Sequence, residues 1–430
     1  MPRPLDFETR QIHAAALIDA QAQARVTPIY QTAGYVFDDF DDGEARFAGR
    51  GGRVYSRNEN PTNFVAGQRL ADLEGGVDGI VVASGQAAIL VAVAALAGAG
   101  DHVLITKSLY EGTNEMFRGI FKRQGIEGEY VPDEASDEDW AARIRPNTKA
   151  LYTESIPNPL GQVVDLERLA RIAHAHGLPL VVDNTVATPY LERPIEFGAD
   201  VVVHSTSKWL AGHGAVIGGA VIDGGTFDWA ASGRFPQLTE APRPGVGSFV
   251  ERFGAGALGA YLRTVVVLEY GPTIPPTSTF LLLHGIETLS LRMERHVANA
   301  QAVAEFLEGK PGVGVVHFPG LPSNPYHALA QKYLPLGPGS IVTIDVGSRA
   351  AARAFIDALE LITPMTHIGD VRTLALHLGS TIHLKLDDEQ KAGIGITPGL
   401  IRLSIGIESA RDIIADLERG LAAIAAVSAR

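Results

Sequence analysis

Apolar residues in this chain gather in short runs that end abruptly in polar ones, with amphipathic stretches between them. Leu180–Val182 and Val201–Val203 are too brief for helices and too uniformly apolar for strands with one wet face. Such runs predict buried strands of a parallel sheet covered on both sides. Gly79–Ala83, Asp101–Thr106 and Ala150–Thr153 extend the series. Between them Ala87–Gly100 predicts a buried helix, and Asp165 is placed to N-cap a helix with Leu166, Leu169 and Ile172 on one face and Gly177 as C-cap. From about Gly285 the texture changes. Thr288–Leu307 and Arg349–Leu361 read as helices, and Ser340–Val346 and Leu400–Ile405 as strands. The pattern predicts an α/β chain in three parts: an irregular arm over residues 1–62, a large domain over 63–285 and a C-terminal α/β domain over 286–430.

Composition narrows the function classes. At 430 residues the chain exceeds one typical domain. A net charge of −13 argues against a nucleic-acid partner, which needs a basic surface. There is no cysteine, so disulfides, thiolate metal sites and a Cys nucleophile are excluded. The first residues lack the basic-then-apolar pattern of a secretory leader, and the most apolar stretch is too short to span a bilayer. No membrane partner and a cytoplasmic location are therefore expected.

Ligands of open α/β sheets sit beyond the carboxyl ends of the strands. Past the two apolar runs stand Asp183-Asn184-Thr185 and His204-Ser205-Thr206-Ser207-Lys208. A carboxylate and an amine with hydroxyls between them suit an aldehyde cofactor that carries a ring nitrogen and a phosphate, namely pyridoxal 5′-phosphate. Ser84-Gly85-Gln86-Ala87-Ala88 opens a helix after a strand and presents free N–H groups suited to an anion. Tyr55 and Arg57, two apart in an extended segment, point the same way and both can donate to phosphate oxygens. Two other patterns carry nothing. His174 and His176 face different directions on their helix and are no metal pair, and Gly254–Gly259 fits G-x-G-x-x-G with no strand before it and no acidic residue at the required spacing after it.

The longer strings are specific. Asp183-Asn184-Thr185 followed by His204-Ser205-Thr206-Ser207-Lys208-Trp209-Leu210-Ala211-Gly212-His213 closely resembles the fold-type I enzymes of cysteine and methionine metabolism, the cystathionine γ-synthase-like family. The resemblance runs through nearly the whole chain. It implies a mostly parallel seven-stranded central sheet, an inter-subunit arm and a smaller C-terminal α/β domain. It implies that Lys208 holds the cofactor as a Schiff base and moves protons, and that Asp183 keeps the ring nitrogen protonated. Gly85 and Gln86 would cradle the phosphate, Tyr110 stack on the ring and assist the leaving group, and Asn158 bond the phenolic oxygen. Thr185, Ser205 and Ser207 join the cofactor set, while Arg402 and His377 would bind the substrate. Tyr55 and Arg57, in Tyr-Ser-Arg-x-x-Asn-Pro-Thr, would serve the neighbouring subunit's cofactor, which makes the protein a homo-oligomer, expected as a dimer of dimers.

Within the family, Thr27–Thr32, Leu289–His296 and Ile368-Gly369-Asp370 resemble the O-acetylhomoserine sulfhydrylase branch. The departures cluster where the substrate's side chain should sit. Pro275–Thr279 replaces Ser-Pro-Phe-Asn-Ala, and His367 replaces an Asn and adds an imidazole that could serve as a general base; apart from these, Glu111 replaces a Gly after Tyr110. The expected reaction is γ-replacement on an O-acylhomoserine-type amino acid through a vinylglycine-type intermediate. Two alternatives share the cofactor site: a β- or γ-lyase, and a specialised-metabolism enzyme that adds a carbon or nitrogen nucleophile. An NAD-dependent oxidoreductase would rest on the Gly254–Gly259 pattern alone, and a binding protein would leave Lys208 idle.

Overall fold

The computed structural model describes residues 5–428, so the first four residues of the arm lie outside the described residues. Seven strands build the larger sheet: β1 (Asp78–Val82), β2 (His102–Thr106), β3 (Glu127–Val131), β4 (Thr148–Glu154), β5 (Leu180–Asp183), β6 (Val201–His204) and β7 (Gly219–Asp223). Their order is β1-β7-β6-β5-β4-β2-β3, and only β7 runs antiparallel to its neighbours. Helices cover both faces, which is why the central strands are apolar on both sides. Every strand expected in this region is present, shifted by a residue or two. The sequence pattern did not predict β3 or β7. β3 is an edge strand of half-polar sequence, and β7 opens on Gly219, whose Cβ would overlap the Ser84 carbonyl.

Asp165 caps the helix Leu166–Ala175 by accepting from the Arg168 N–H at 3.2 Å. Gly177 lies one residue beyond the cap at His176, in the left-handed region with φ +66°. Gly254–Gly256 is a 3₁₀ turn between two short helices and follows no strand, so it is no dinucleotide loop.

The smaller sheet is made of β8 (Val315–His317), β9 (Ile341–Asp345), β10 (Thr363–Pro364), β11 (Leu374–His377) and β12 (Leu400–Ser404), in the order β10-β11-β12-β9-β8. Arg402 therefore projects from its middle strand. The expected helix from Arg349 ends at Asp357, and the long one runs from Leu289 to Leu307. Among the described residues, no helix is long and apolar enough to cross a membrane.

The segment after β6 is fixed to both sheets. The Trp209 indole is fully buried and donates to Ser340 Oγ at 3.0 Å. Gly369 packs so close that a Cβ there would lie 2.6 Å from the Trp209 backbone nitrogen. Arg292, buried on the long helix, donates to the carbonyls of Trp209 (2.6 Å), Leu210 (3.3 Å) and Gly285 (2.5 Å). Burial depresses its pKa to about 10, and the three carbonyls compensate a cation held away from water.

The arm differs in kind. Its helices are short (Phe7–His13, Phe40–Phe47, Ser56–Glu59), and Val36 and Phe40 are 89% and 83% exposed. By contrast, the helix Pro61–Glu74 lies tightly on β1, because Gly67 and Gly79 let the two backbones touch. A Cβ on Gly67 would overlap the Gly79 carbonyl. Gly67→Ala is therefore expected to destabilise by about 1–3 kcal/mol, although alanine is the better helix former. Urea unfolding of the two proteins checks this; equal or greater stability of the variant would refute the close contact.

Candidate active site

One cavity of about 440 Å³ opens at the carboxyl ends of β4, β5 and β6 and is closed on the far side by β12 and the segment before β11. Parallel strands put successive C-terminal ends side by side. Glu154 and Asp183 are paired in register, and Asp183 pairs with Val203, one residue before His204. This explains how residues far apart in sequence converge.

Asp183 Oδ1 accepts from the Thr185 N–H (3.0 Å) and hydroxyl (2.5 Å), which leaves Oδ2 without a protein partner in the cavity wall. Burial pushes its pKa up, while the Thr185 bonds and the nearby His204 pull it back. Thr185 Oγ1 also accepts from the Ser205 N–H at 2.8 Å. Beneath them His204 Nε2 lies 2.6 Å from Glu74 Oε1, with both side chains fully buried, and Asn184 donates to the same oxygen at 3.0 Å. His204 and Asn184 thus support the site from behind.

Lys208 lines the cavity, and burial, then the charge of Arg402, lowers its pKa to about 8. Its Nζ is 3.1 Å from His367 Nδ1. Arg402 is 3% exposed and donates to Asn158 Oδ1 (3.3 Å) and to the carbonyls of Thr366 (2.9 Å) and His367 (3.4 Å). Burial lowers its pKa to about 10. Tyr110 caps the cavity at 45% exposure; burial of its hydroxyl raises the pKa, so the phenol keeps its proton.

An anion cradle occupies one end. Ser84 accepts the Ala87 N–H on its hydroxyl and the Ala88 N–H on its carbonyl, so the helix Gly85–Leu96 is left with the N–H groups of Gly85 and Gln86. Ser205 lies against Gly85, where a Cβ would come within 2.6 Å of the Ser205 Cβ. The Ser207 hydroxyl is bonded to both the carbonyl (3.2 Å) and the N–H (3.0 Å) of Gly218. Two free N–H groups and the Ser205 hydroxyl at a helix start suit a phosphate, and Ser207, whose single proton rests on the Gly218 carbonyl, would have to turn it to add a further donor.

Three expected residues stand elsewhere. Tyr55 and Arg57 do not line this cavity. They pair with each other through a cation–π contact of 5.4 Å, and Arg57 borders a separate, small cleft. His377, expected at the substrate, is corrected by its bonds. It is a local cap, with Nδ1 on Ser380 Oγ at 2.7 Å and Nε2 on the Pro398 carbonyl at 3.0 Å, outside the cavity lining.

Two groups in the wall were not among the residues expected to bind cofactor or substrate. Glu154 accepts from the Tyr110 N–H at 2.6 Å, and burial together with the Asp183 charge raises its pKa well above the carboxylate range. Burial and the Asp183 charge thus favour the protonated form of Glu154. Its signal was its place at the end of a strand beside that of Asp183. His367, expected as an Asn replacement that brings a general base to the pocket, touches the lysine itself.

A family profile described as Cys/Met metabolism PLP-dependent enzyme matches residues 8–422. The chain is 45% identical to the homocysteine synthase of Schizosaccharomyces pombe over 96% of its own length and 98% of that protein. It is 43% identical to the O-acetyl-L-homoserine sulfhydrylase of Corynebacterium glutamicum, over 97% of each. A crystal structure from Campylobacter jejuni, assigned as an O-acetylhomoserine (thiol)-lyase and carrying a pyridoxyl-lysine phosphate, superposes with a TM-score of 0.92 at 36% identity, covering 97% of this chain and all of that one. A profile that runs almost end to end, relatives of this similarity and a cavity with these donors agree: the chain belongs to the Cys/Met metabolism family of PLP-dependent enzymes.

Proposed function

We propose that this protein catalyses γ-replacement on an O-acylhomoserine-type amino acid, exchanging the acyloxy group for an incoming nucleophile. The observation that carries the reading is the convergence of Lys208, Asp183 and Arg402 on one cavity. When bound, pyridoxal 5′-phosphate supplies an electron sink for negative charge developing on the substrate. The donor set fits this group. Gly85, Gln86, Ser205 and Ser207 would hold its phosphate, and the free Oδ2 of Asp183 would hold its ring nitrogen as a cation. A neutral Glu154 next door leaves that charge to Asp183. Asn158 and Thr185 complete the set.

Arg402 would take the substrate carboxylate in the fork of its guanidinium. Lys208, with a pKa near 8, is partly neutral at physiological pH and can take the proton at Cα and deliver it farther along the chain. Tyr110 retains its proton and can donate it to the departing oxygen. The exposed apolar residues of the arm, with Tyr55 and Arg57 outside their own chain's cavity, support an arm over residues 1–62 that completes a partner's site. We place the working unit as a homodimer or dimer of dimers in the cytoplasm.

A second reading has its own observation. His367 stands where the sulfhydrylase branch has Asn, and Ile217, Met365 and Ile382 give the cavity an apolar lip. That lip suits a nucleophile larger than hydrosulfide.

Borohydride reduction of protein supplied with cofactor should fix a pyridoxyl mass on the Lys208 peptide; label on another lysine would end this reading. Arg57→Ala and Lys208→Ala proteins should each be nearly inactive and regain activity when refolded together, since a hybrid dimer holds one intact site. An active monomer would refute the crossed arrangement. With O-acetylhomoserine and sulfide, product mass spectrometry should show homocysteine at a kcat/KM of at least about 10⁴ M⁻¹s⁻¹. Slower turnover with sulfide than with a larger thiol, amine or carbon acid would favour the second reading, and a keto acid would mark a lyase.

A further inference from the structure

Cofactor and substrate binding account for most polar groups in the cavity but leave His367 over. Its Nδ1 lies 3.1 Å from Lys208 Nζ. An ammonium has donors and no lone pair, so towards a protonated Lys208 that ring nitrogen can only accept. The other ring nitrogen, Nε2, is buried and has no hydrogen-bond partner among the described residues. The ring is anchored from behind: its own carbonyl takes Arg402 Nη2, and two residues on the Gly369 N–H donates to Ser404 Oγ at 3.0 Å. An amide at this position accepts a hydrogen bond from Nζ but cannot hold its proton. An imidazole can do both.

The charged surroundings make the transfer reciprocal. Lys208 and Arg402 face the ring as cations and Asp370 as an anion already paired with Arg372, while Asp183, Glu154 and Tyr110 line the same cavity. Burial first, then Lys208 and Arg402, hold the imidazole at a pKa of about 4, so it is neutral while Lys208 is an ammonium. Once Lys208 gives up its proton, one of the two opposing charges is gone, and protonating the ring costs less. Two groups coupled in this way titrate as a pair.

Resting on the reading of Lys208 as the proton-carrying amine, we propose that His367 is its proton-holding partner. Nδ1 takes one proton from Nζ when the amine must act as a base and returns it when the amine must act as an acid. Only N–H bonds are made and broken, and the proton count of the pair is unchanged. His367 acts through Lys208 and is in that sense a positioning residue.

L-Norvaline, which has no leaving group, tests this in the holoenzyme. NMR in D₂O follows deuterium entering at Cα, which needs the cofactor and Lys208 but no γ-chemistry. His367→Asn and His367→Phe should slow this exchange by about tenfold. Exchange in His367→Ala should recover when imidazole is added. In the full-length chain freed of cofactor, the pH midpoint of Lys208 acetylation should fall by about half a unit in His367→Phe, because the ammonium loses its acceptor. An Asn variant within twofold of wild type, an Ala variant unmoved by imidazole, or an unchanged acetylation midpoint would each overturn the proposal. Wild-type protein that loads cofactor but exchanges nothing would fail the reading of Lys208 first, and the partner role with it.

Discussion

Two carboxyls that stand side by side in a wall shielded from water cannot both ionise, and the site is arranged around which one does. Glu154 and Asp183 end adjacent parallel strands in register, so the sheet itself forces them together. Their surroundings break the tie. Asp183 has two donors from Thr185 and a buried imidazole beneath it; Glu154 is more deeply buried, and the N–H groups of Tyr110 and Asn158 offset that burial only in part. The negative charge therefore settles on Asp183, on the oxygen side that opens to the cavity. Glu74, Asn184 and His204 form a buried layer behind it whose bonds hold the strand ends in place.

The opposite wall is set by packing rather than charge. Trp209 follows Lys208 directly and is locked between Ser340, Gly369 and the carbonyl-capping Arg292. A left-handed Gly212 leaves room for that guanidinium, since any Cβ there would overlap it. The backbone that carries the reactive amine is thereby held by the long helix of residues 289–307 and by the smaller sheet, which also supplies Arg402. Lys208 and Arg402 thus keep a fixed separation although almost two hundred residues lie between them in sequence.

Much of this was legible before the coordinates, for a reason tied to parallel sheets. A short, doubly buried strand announces itself by uniform apolarity, and its polar end marks where chemistry gathers, as with Asp183 and Lys208. β3 escaped because Glu127–Val131 is an edge strand, exposed or half-buried until its last residue, and its polar sequence loses that mark. Glu154 escaped because a carboxyl at a strand end looks like a solvated residue until its neighbour across the ladder is known. His377 misled for the opposite reason: a familiar position is no guide to a ring that local turn geometry has recruited for Ser380 and Pro398. The roles proposed for Tyr55 and Arg57 rest on contacts between copies, which one chain's periodicity does not encode.

The Trp209 lock also has an optical side. The chain has three tryptophans, and Trp140, Trp209 and Trp229 are all buried, so none contributes the red-shifted emission of a wet indole. Trp209 alone adjoins Lys208 and has its N–H bonded to Ser340, just before β9 of the smaller sheet. Its fluorescence is thus wired to both halves of the cavity. A group absorbing near the indole emission, if carried by Lys208, would quench it by energy transfer, and a change in the packing of the smaller sheet would alter the polarity its indole senses. The native protein thus holds a reporter of its own interior, without a label.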